Sequence, residues 1–106
     1  MRVAERERLP NRRSAETFDV EALGLRFHVT VGRLDDARVS EIFITNHKAG
    51  SMAGIMASDS AVLCSLLLQY GVPIDVIRHA LMRDGNGRAS GPLGVVLDLL
   101  AEETLG

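Results

Sequence analysis

Between Leu25 and Val31 apolar and polar side chains alternate without a break, placing Leu25, Phe27, Val29 and Val31 on one face of an extended chain and Arg26, His28 and Thr30 on the other. A period of two describes a strand that buries one side. The same period precedes it, with Phe18, Val20 and Ala22 set between Thr17, Asp19 and Glu21, and Leu23-Gly24 offers the reversal between the two runs. Asp35-Asp36-Ala37-Arg38 supplies the short polar residues of a second turn, and Val39 to Asn46 resumes with Ile42, Phe43 and Ile44. Three strands linked this tightly predict an antiparallel meander.

After Lys48-Ala49-Gly50-Ser51 the period lengthens to that of a helix. Ser51 reads as the N-cap of a helix running to about Gln69, with Gly71 closing it. Met52, Ile55, Met56, Val62, Leu63, Leu66, Leu67 and Tyr70 occupy most of its circumference, and Gly54, Ala57, Ala61 and Cys64 form a stripe that permits close backbone approach. A helix apolar nearly all round belongs in a core or an interface. Ser58-Asp59-Ser60 interrupts it, which argues against a membrane span.

Pro73 opens a second, short helix in which Ile74, Ile77 and Leu81 repeat until Gly85, and Pro92 opens a third carrying Leu93, Val96, Leu97 and Leu100. The expected fold class is α+β: a three-stranded antiparallel meander followed by one long buried helix and two shorter helices. Residues 1–16 show neither period, and Leu9-Pro10-Asn11 reads as a break. The division expected is an arm over 1–16 and one α+β domain over 17–106.

A length of 106 residues suits one domain with a core of its own. The net charge is -2, but residues 1–16 hold five arginines against three glutamates, so the arm is mildly basic and the body acidic. Phe18, Phe27, Phe43 and Tyr70 are the only aromatics, too few for a base-stacking platform. Cys64 is the only cysteine, which excludes a disulfide framework and a Cys-based zinc site within one chain. No apolar run near Met1 resembles a secretory signal, and a reducing, cytoplasmic setting is expected.

Groups able to carry chemistry are sparse. The loop from Gly85 to Gly94 precedes a helix, and its glycines would let backbone amides approach an anion, with Arg88, Ser90 and Gly91 as candidate phosphate or nucleotide contacts. Its spacing matches neither a P-loop nor a dinucleotide fingerprint, and turn and cap geometry accounts for the same glycines. Arg8, Arg12 and Arg13 could grip phosphate from the arm, although interleaved glutamates weaken the field. Asp59 is the one charge in the long apolar helix, where a carboxylate must be hydrogen-bonded, paired or solvent-facing; a structural pairing is expected over a catalytic role, with Arg78, Arg83 or Arg88 as candidate partners. His28, His47 and His79 have no metal-ligand spacing, so no metal is expected. The serines lack a nucleophile elbow, and Cys64 lies among leucines where a raised pKa is expected, so no catalytic residue is assigned.

Five segments, in order, carry a family likeness: Thr17-Phe18, Glu41-Ile42-Phe43-Ile44, Lys48-Ala49-Gly50-Ser51, Leu66-Leu67-Leu68-Gln69-Tyr70-Gly71-Val72-Pro73 and Gly91-Pro92-Leu93-Gly94. Together they resemble the TSCPD domain, over about residues 9–104. That domain is found at the C-terminal end of cobalamin-dependent (class II) ribonucleotide reductases and as short free-standing bacterial proteins, which this chain looks like. The letters that name the domain do not occur here as a run, and Ala37 stands where such a turn usually carries Gly. The resemblance implies an association with deoxyribonucleotide synthesis and DNA biosynthesis. It does not equip the chain to be an enzyme by itself, because reductase chemistry needs a radical-bearing cysteine, a reducible cysteine pair and a nucleotide barrel.

The reading is therefore an accessory or regulatory binding domain acting through a protein partner, a nucleotide or self-association. A homodimer burying part of residues 52–70 is expected, since the long helix offers more apolar surface than the rest can cover. A reductase-type protein is a second candidate partner. No cofactor is expected on this chain, with cobalamin reached only through an associated reductase, and no membrane is expected. The alternative is a nucleic-acid or nucleotide phosphate-binding module that uses the arm arginines and the glycine-rich loop.

Overall fold

Hydrogen bonding between the alternating segments produces one sheet of order β1-β2-β3, in which β1 (Ser14–Ala22), β2 (Leu25–Arg33) and β3 (Val39–Thr45) run antiparallel to their neighbours. The computed structural model describes residues 5–6, 14–48 and 50–105. β1 starts three residues before the strand expected from Thr17, because Ser14 pairs with Arg33 and Ala15 with Gly32 across the ladder. Pairing of Phe18 with Val29 and Val20 with Phe27, then of Val31 with Ile42 and Val29 with Ile44, collects the apolar side chains on one face.

Both turns bend the chain through left-handed backbone. Leu23 and Gly24 have φ of +56° and +71°, the sign a two-residue hairpin needs to follow the twist of its strands. In the second turn Ala37 has φ +68°, a conformation that favours Gly, and its amide donates to the Leu34 carbonyl at 2.8 Å. A bulge follows: Gly32 faces Glu41 while Arg33 faces Val39, which leaves Ser40 without an opposite residue. Gly32 is required by close approach, since a Cβ there would lie 2.6 Å from Cγ of the buried Glu41.

Helix α1 (Met52–Gln69) has the expected limits. The Ser51 hydroxyl accepts from the Gly54 amide at 3.1 Å, and at the other end the Val72 amide reaches the Leu67 carbonyl around Gly71, φ +91°. It packs along β3. Ile42 directs its amide and carbonyl away from β2, and both meet Ser65: the amide donates to the hydroxyl at 2.8 Å and the carbonyl lies 3.0 Å from it. The Gln69 side-chain amide donates to the Ser40 carbonyl at 3.2 Å, and its oxygen accepts from Arg6 of the arm. Two buried polar side chains of the helix thus occupy hydrogen-bonding groups that an edge strand would otherwise leave open.

The core lies between the sheet and the helices, where Phe27, Val29, Val31, Ile42 and Ile44 meet Ala57, Ala61 and Cys64 of α1. Helix α3 (Pro92–Leu105) adds Val96 and Leu97 and lies against β1, α1 and α2. Helix α2 (Ile74–Ala80) is shorter than its apolar spacing predicts. Leu81 turns extended, and residues 83 and 89 form a bridge while the Ser90 amide reaches the Met82 carbonyl, so tertiary pairing takes over the segment expected to continue to Gly85.

The α1 to β3 junction gives a direct test. Ser65→Ala leaves the buried Ile42 amide without an acceptor, and an expected loss of about 1–3 kcal/mol is read as a lower urea midpoint at unchanged slope.

Candidate functional site

One side of α1 faces the core and the other faces solvent, because β3 and α3 together cover only the stripe through Gly54, Ala57, Ala61, Cys64 and Leu68. The helix expected to be buried is therefore buried on one side. Met52, Met56 and Leu63 are 78%, 64% and 62% exposed, and Ile55, Val62, Leu67 and Tyr70 are exposed beside them. Together they form an apolar stripe the length of the helix, of the kind that marks an interaction surface. α1 is also the one helix, among the described residues, long and apolar enough to cross a membrane. Ser65 and Gln69 tie it to β3, as a helix of a folded core is tied.

A cavity of about 280 Å³ opens beside the N-terminal half of this stripe, between the Leu23 turn, α1 and the start of α3. Phe27, Leu81 and Leu93 line it, and the exposed Leu23, Met56 and Met82 stand at its rim. Gly94 in its wall must be glycine, because a Cβ there would lie 2.8 Å from that of Ala89. A second cavity of about 310 Å³ at the helix start brings Asp59 and Ser58 together with Asn46 and Lys48.

Asp59 is exposed and has no hydrogen-bond or ion-pair partner among the described residues. The arginines expected to pair with it are engaged elsewhere or distant: Arg78 and Arg83 both bind Asp98, and Arg88 is exposed on the loop. Water solvates Asp59 directly, which removes the need for a partner. Asp98 is the residue sequence reasoning passed over. Arg83 approaches it through two nitrogens at 2.7 and 2.9 Å and Arg78 through one at 2.7 Å, joining α2, the following loop and α3. The Arg83 hydrogen bonds are the main reason that its carboxyl falls from 3.8 to about 2, with Arg78 adding to them and partial burial opposing both. The available signal was its position as the one charge in the apolar run from Pro92 to Ala101. A comparable fastening at the far end of the sheet joins Arg33 to Glu16 at 3.0 Å and to Glu103 at 2.7 Å.

The glycine-rich loop closes on its own carboxylate. The Asp84 carboxylate accepts from the amides of Arg88 at 3.0 Å and Asn86 at 2.8 Å, which together hold its pKa below the usual range, and its main-chain carbonyl accepts from the Gly87 amide. Ser90 and Gly91 are half-buried beside it, and the Gly91 carbonyl accepts from Val95 in the first turn of α3. Arg12 and Arg13 lie outside the described residues, as does Arg8.

No group of three or more His, Cys, Asp or Glu able to hold a metal occurs among the described residues. His28 is exposed and pairs with Asp19 at 2.7 Å on the outer face of the sheet, and His47 and His79 are exposed on other elements. Burial pushes the Cys64 thiol up to about 11, so it is neither a ready nucleophile nor a ready ligand. Ser65, Ser51 and Ser60 are each occupied by backbone bonds. The arrangement suits contact with another surface better than bond-making.

The sequence matches the TSCPD domain family over residues 4–102. It is 42% identical over 71 residues to a vitamin B12-dependent ribonucleotide reductase of Agrobacterium fabrum (strain C58 / ATCC 33970), covering 67% of this chain and 6% of that protein. The proteins of the same name from Bradyrhizobium diazoefficiens and Rhodopirellula baltica are 41% and 39% identical, over 67% and 68% of this chain and 6% and 7% of theirs. The chain thus spans only a small fraction of the length of the curated relatives it matches. No solved structure matches it.

The Asp98 cluster sets a pH dependence. A folded-state carboxyl below its unfolded value adds stability above about pH 4 that is lost as pH falls toward 2. Asp98→Asn is expected to cost about 1–2 kcal/mol at pH 7, allowing for its partial exposure, and the deficit to shrink toward pH 2, as measured by urea unfolding across pH.

Proposed function

The chain belongs to the TSCPD domain family, and we propose that it is an accessory domain of deoxyribonucleotide synthesis that works by presenting the outward face of α1 to a protein surface. What supports the reading is that stripe: an exposed apolar helix face on a domain whose reactive groups are scattered or already engaged. The relatives named above connect the family to vitamin B12-dependent ribonucleotide reductases. In this reading a second copy of the chain is the first partner and a reductase-type protein another. The domain contributes binding and regulation, holds no cofactor of its own, meets cobalamin only through an associated reductase, and acts in the cytoplasm.

The phosphate-binding alternative gains less from the geometry. An incoming anion would have to displace Asp84 from the amides of Asn86 and Arg88, and a carboxylate at that place repels it. The apolar stripe, by contrast, has no competing occupant among the described residues.

Sedimentation equilibrium over a wide range of protein concentration tests the contact reading. Self-association that changes little with salt is expected, as burial of apolar surface requires, whereas phosphate-type binding weakens steeply. Leu63→Glu and Met56→Glu should each weaken association at least tenfold while leaving the thermal midpoint at dilute, monomeric concentration nearly unchanged, because both side chains are exposed in the single chain. Variants that associate as the parent does would remove α1 from the reading.

A further inference from the structure

We infer that Met52, Met56 and Met82 form a modification site at which a hydroperoxide converts the thioethers to sulfoxides, turning this end of the α1 face from apolar to polar while the fold stays intact. The consequence for contact rests on the reading above, whereas the modification itself does not.

The fold gathers the three sulfurs. Met52 and Met56 stand one turn apart on the same side of α1, and Met82, on the segment between α2 and α3, lines the same cavity as Met56. They are the methionines among the described residues, and none enters the core. With 78%, 64% and 78% of their surface exposed, nothing in the folded chain shields them from a dissolved oxidant. The group that would compete for that oxidant is shut away. Cys64 is 1% exposed and burial pushes its thiol up to about 11, so the reactive thiolate is both scarce and out of reach.

With hydrogen peroxide as oxidant the step needs no help from the protein. A sulfur lone pair attacks one peroxide oxygen, and the O–O bond breaks as the S–O bond forms. The departing hydroxide takes up the remaining proton and leaves as water. Sulfur loses two electrons and peroxide gains them.

The surface changes because its surroundings cannot absorb the new oxygen. No charged side chain lines the cavity, and its one side-chain hydroxyl, that of Ser60, already donates to the Ala57 carbonyl at 2.8 Å. The lining side chains thus offer a sulfoxide no donor. Its oxygen stays hydrated, and a partner covering the face would have to strip that water at a cost. Val62, Leu63 and Leu67, farther along α1, contain no sulfur and keep their character.

Peptide-resolved mass spectrometry after brief peroxide treatment tests the site. Met52, Met56 and Met82 should each gain one oxygen at a rate within about tenfold of that in the urea-unfolded chain, with Cys64 still reduced. Slower reaction, or earlier loss of the Cys64 thiol, overturns the site. Emission of the neutral apolar dye Nile red reads the surface without any partner. It should fall by at least about half on oxidation at unchanged far-ultraviolet circular dichroism, and return on treatment with methionine sulfoxide reductases and a dithiol. The variant Met52→Leu/Met56→Leu/Met82→Leu, whatever its starting emission, should not respond to peroxide. A smaller fall in the parent, an equal fall in the variant, or lost dichroism overturns the inference. Sedimentation separates it from the contact reading. Association that is equal before and after oxidation overturns the inference and leaves contact intact, whereas a chain monomeric throughout defeats self-association alone, and the dye then decides the inference.

Discussion

The hydroxyl of Ser65 and the side-chain amide of Gln69, set against Ile42 and Ser40, are the constraint from which much of the structure follows. A three-stranded sheet has two edges, and an edge strand carries backbone groups that need partners. Here a helix supplies them through two side chains one turn apart. That fastening fixes the rotation of α1 about its own axis. Once positions 65 and 69 face β3, Ala57, Ala61 and Cys64 must enter the core, and Met52, Met56 and Leu63 must leave it.

Small residues make this geometry possible. Ala57 and Ala61 are fully or nearly buried and bring the helix backbone close to the sheet, and Gly94 brings α3 close to Ala89. Larger side chains at these places would lift the helices off the core and break the hydrogen bonds to β3. Charge does different work at the rim. Asp98 gathers two arginines and so joins α2, the loop and α3, and Arg33 gathers two glutamates and so joins β2 to β1 and α3.

The functional reading follows from what this leaves over. Cys64 is buried, Ser51, Ser60 and Ser65 are spent on backbone, the histidines are dispersed, and the glycine-rich loop is folded around Asp84. What remains unspent is apolar helix surface, with an adjoining cavity rimmed by flexible side chains. Members of one domain family can keep such a surface while the chemistry of the larger proteins that carry it resides elsewhere.

The meander, the caps and the order of elements were legible because each is a local matter. Alternation from Thr17 to Val31 sets the face of the strands, Ser51 and Gly71 bound α1, and Pro92 opens α3. The family likeness was equally legible, because it resides in ordered segments of sequence. Other features depended on distance in space. The length of α2 was overestimated because the bridge between residues 83 and 89 outcompetes a helical period, and Asp59 was given arginines that Asp98 takes. By itself the sequence determined which residues are extended, which are helical and that α1 has apolar surface to spare. The stripe of Gly54, Ala57, Ala61 and Cys64 also marked the side of α1 able to approach another backbone, but only the tertiary structure decided what meets it, because the bonds from Ser65 and Gln69 to β3 join residues far apart in the chain.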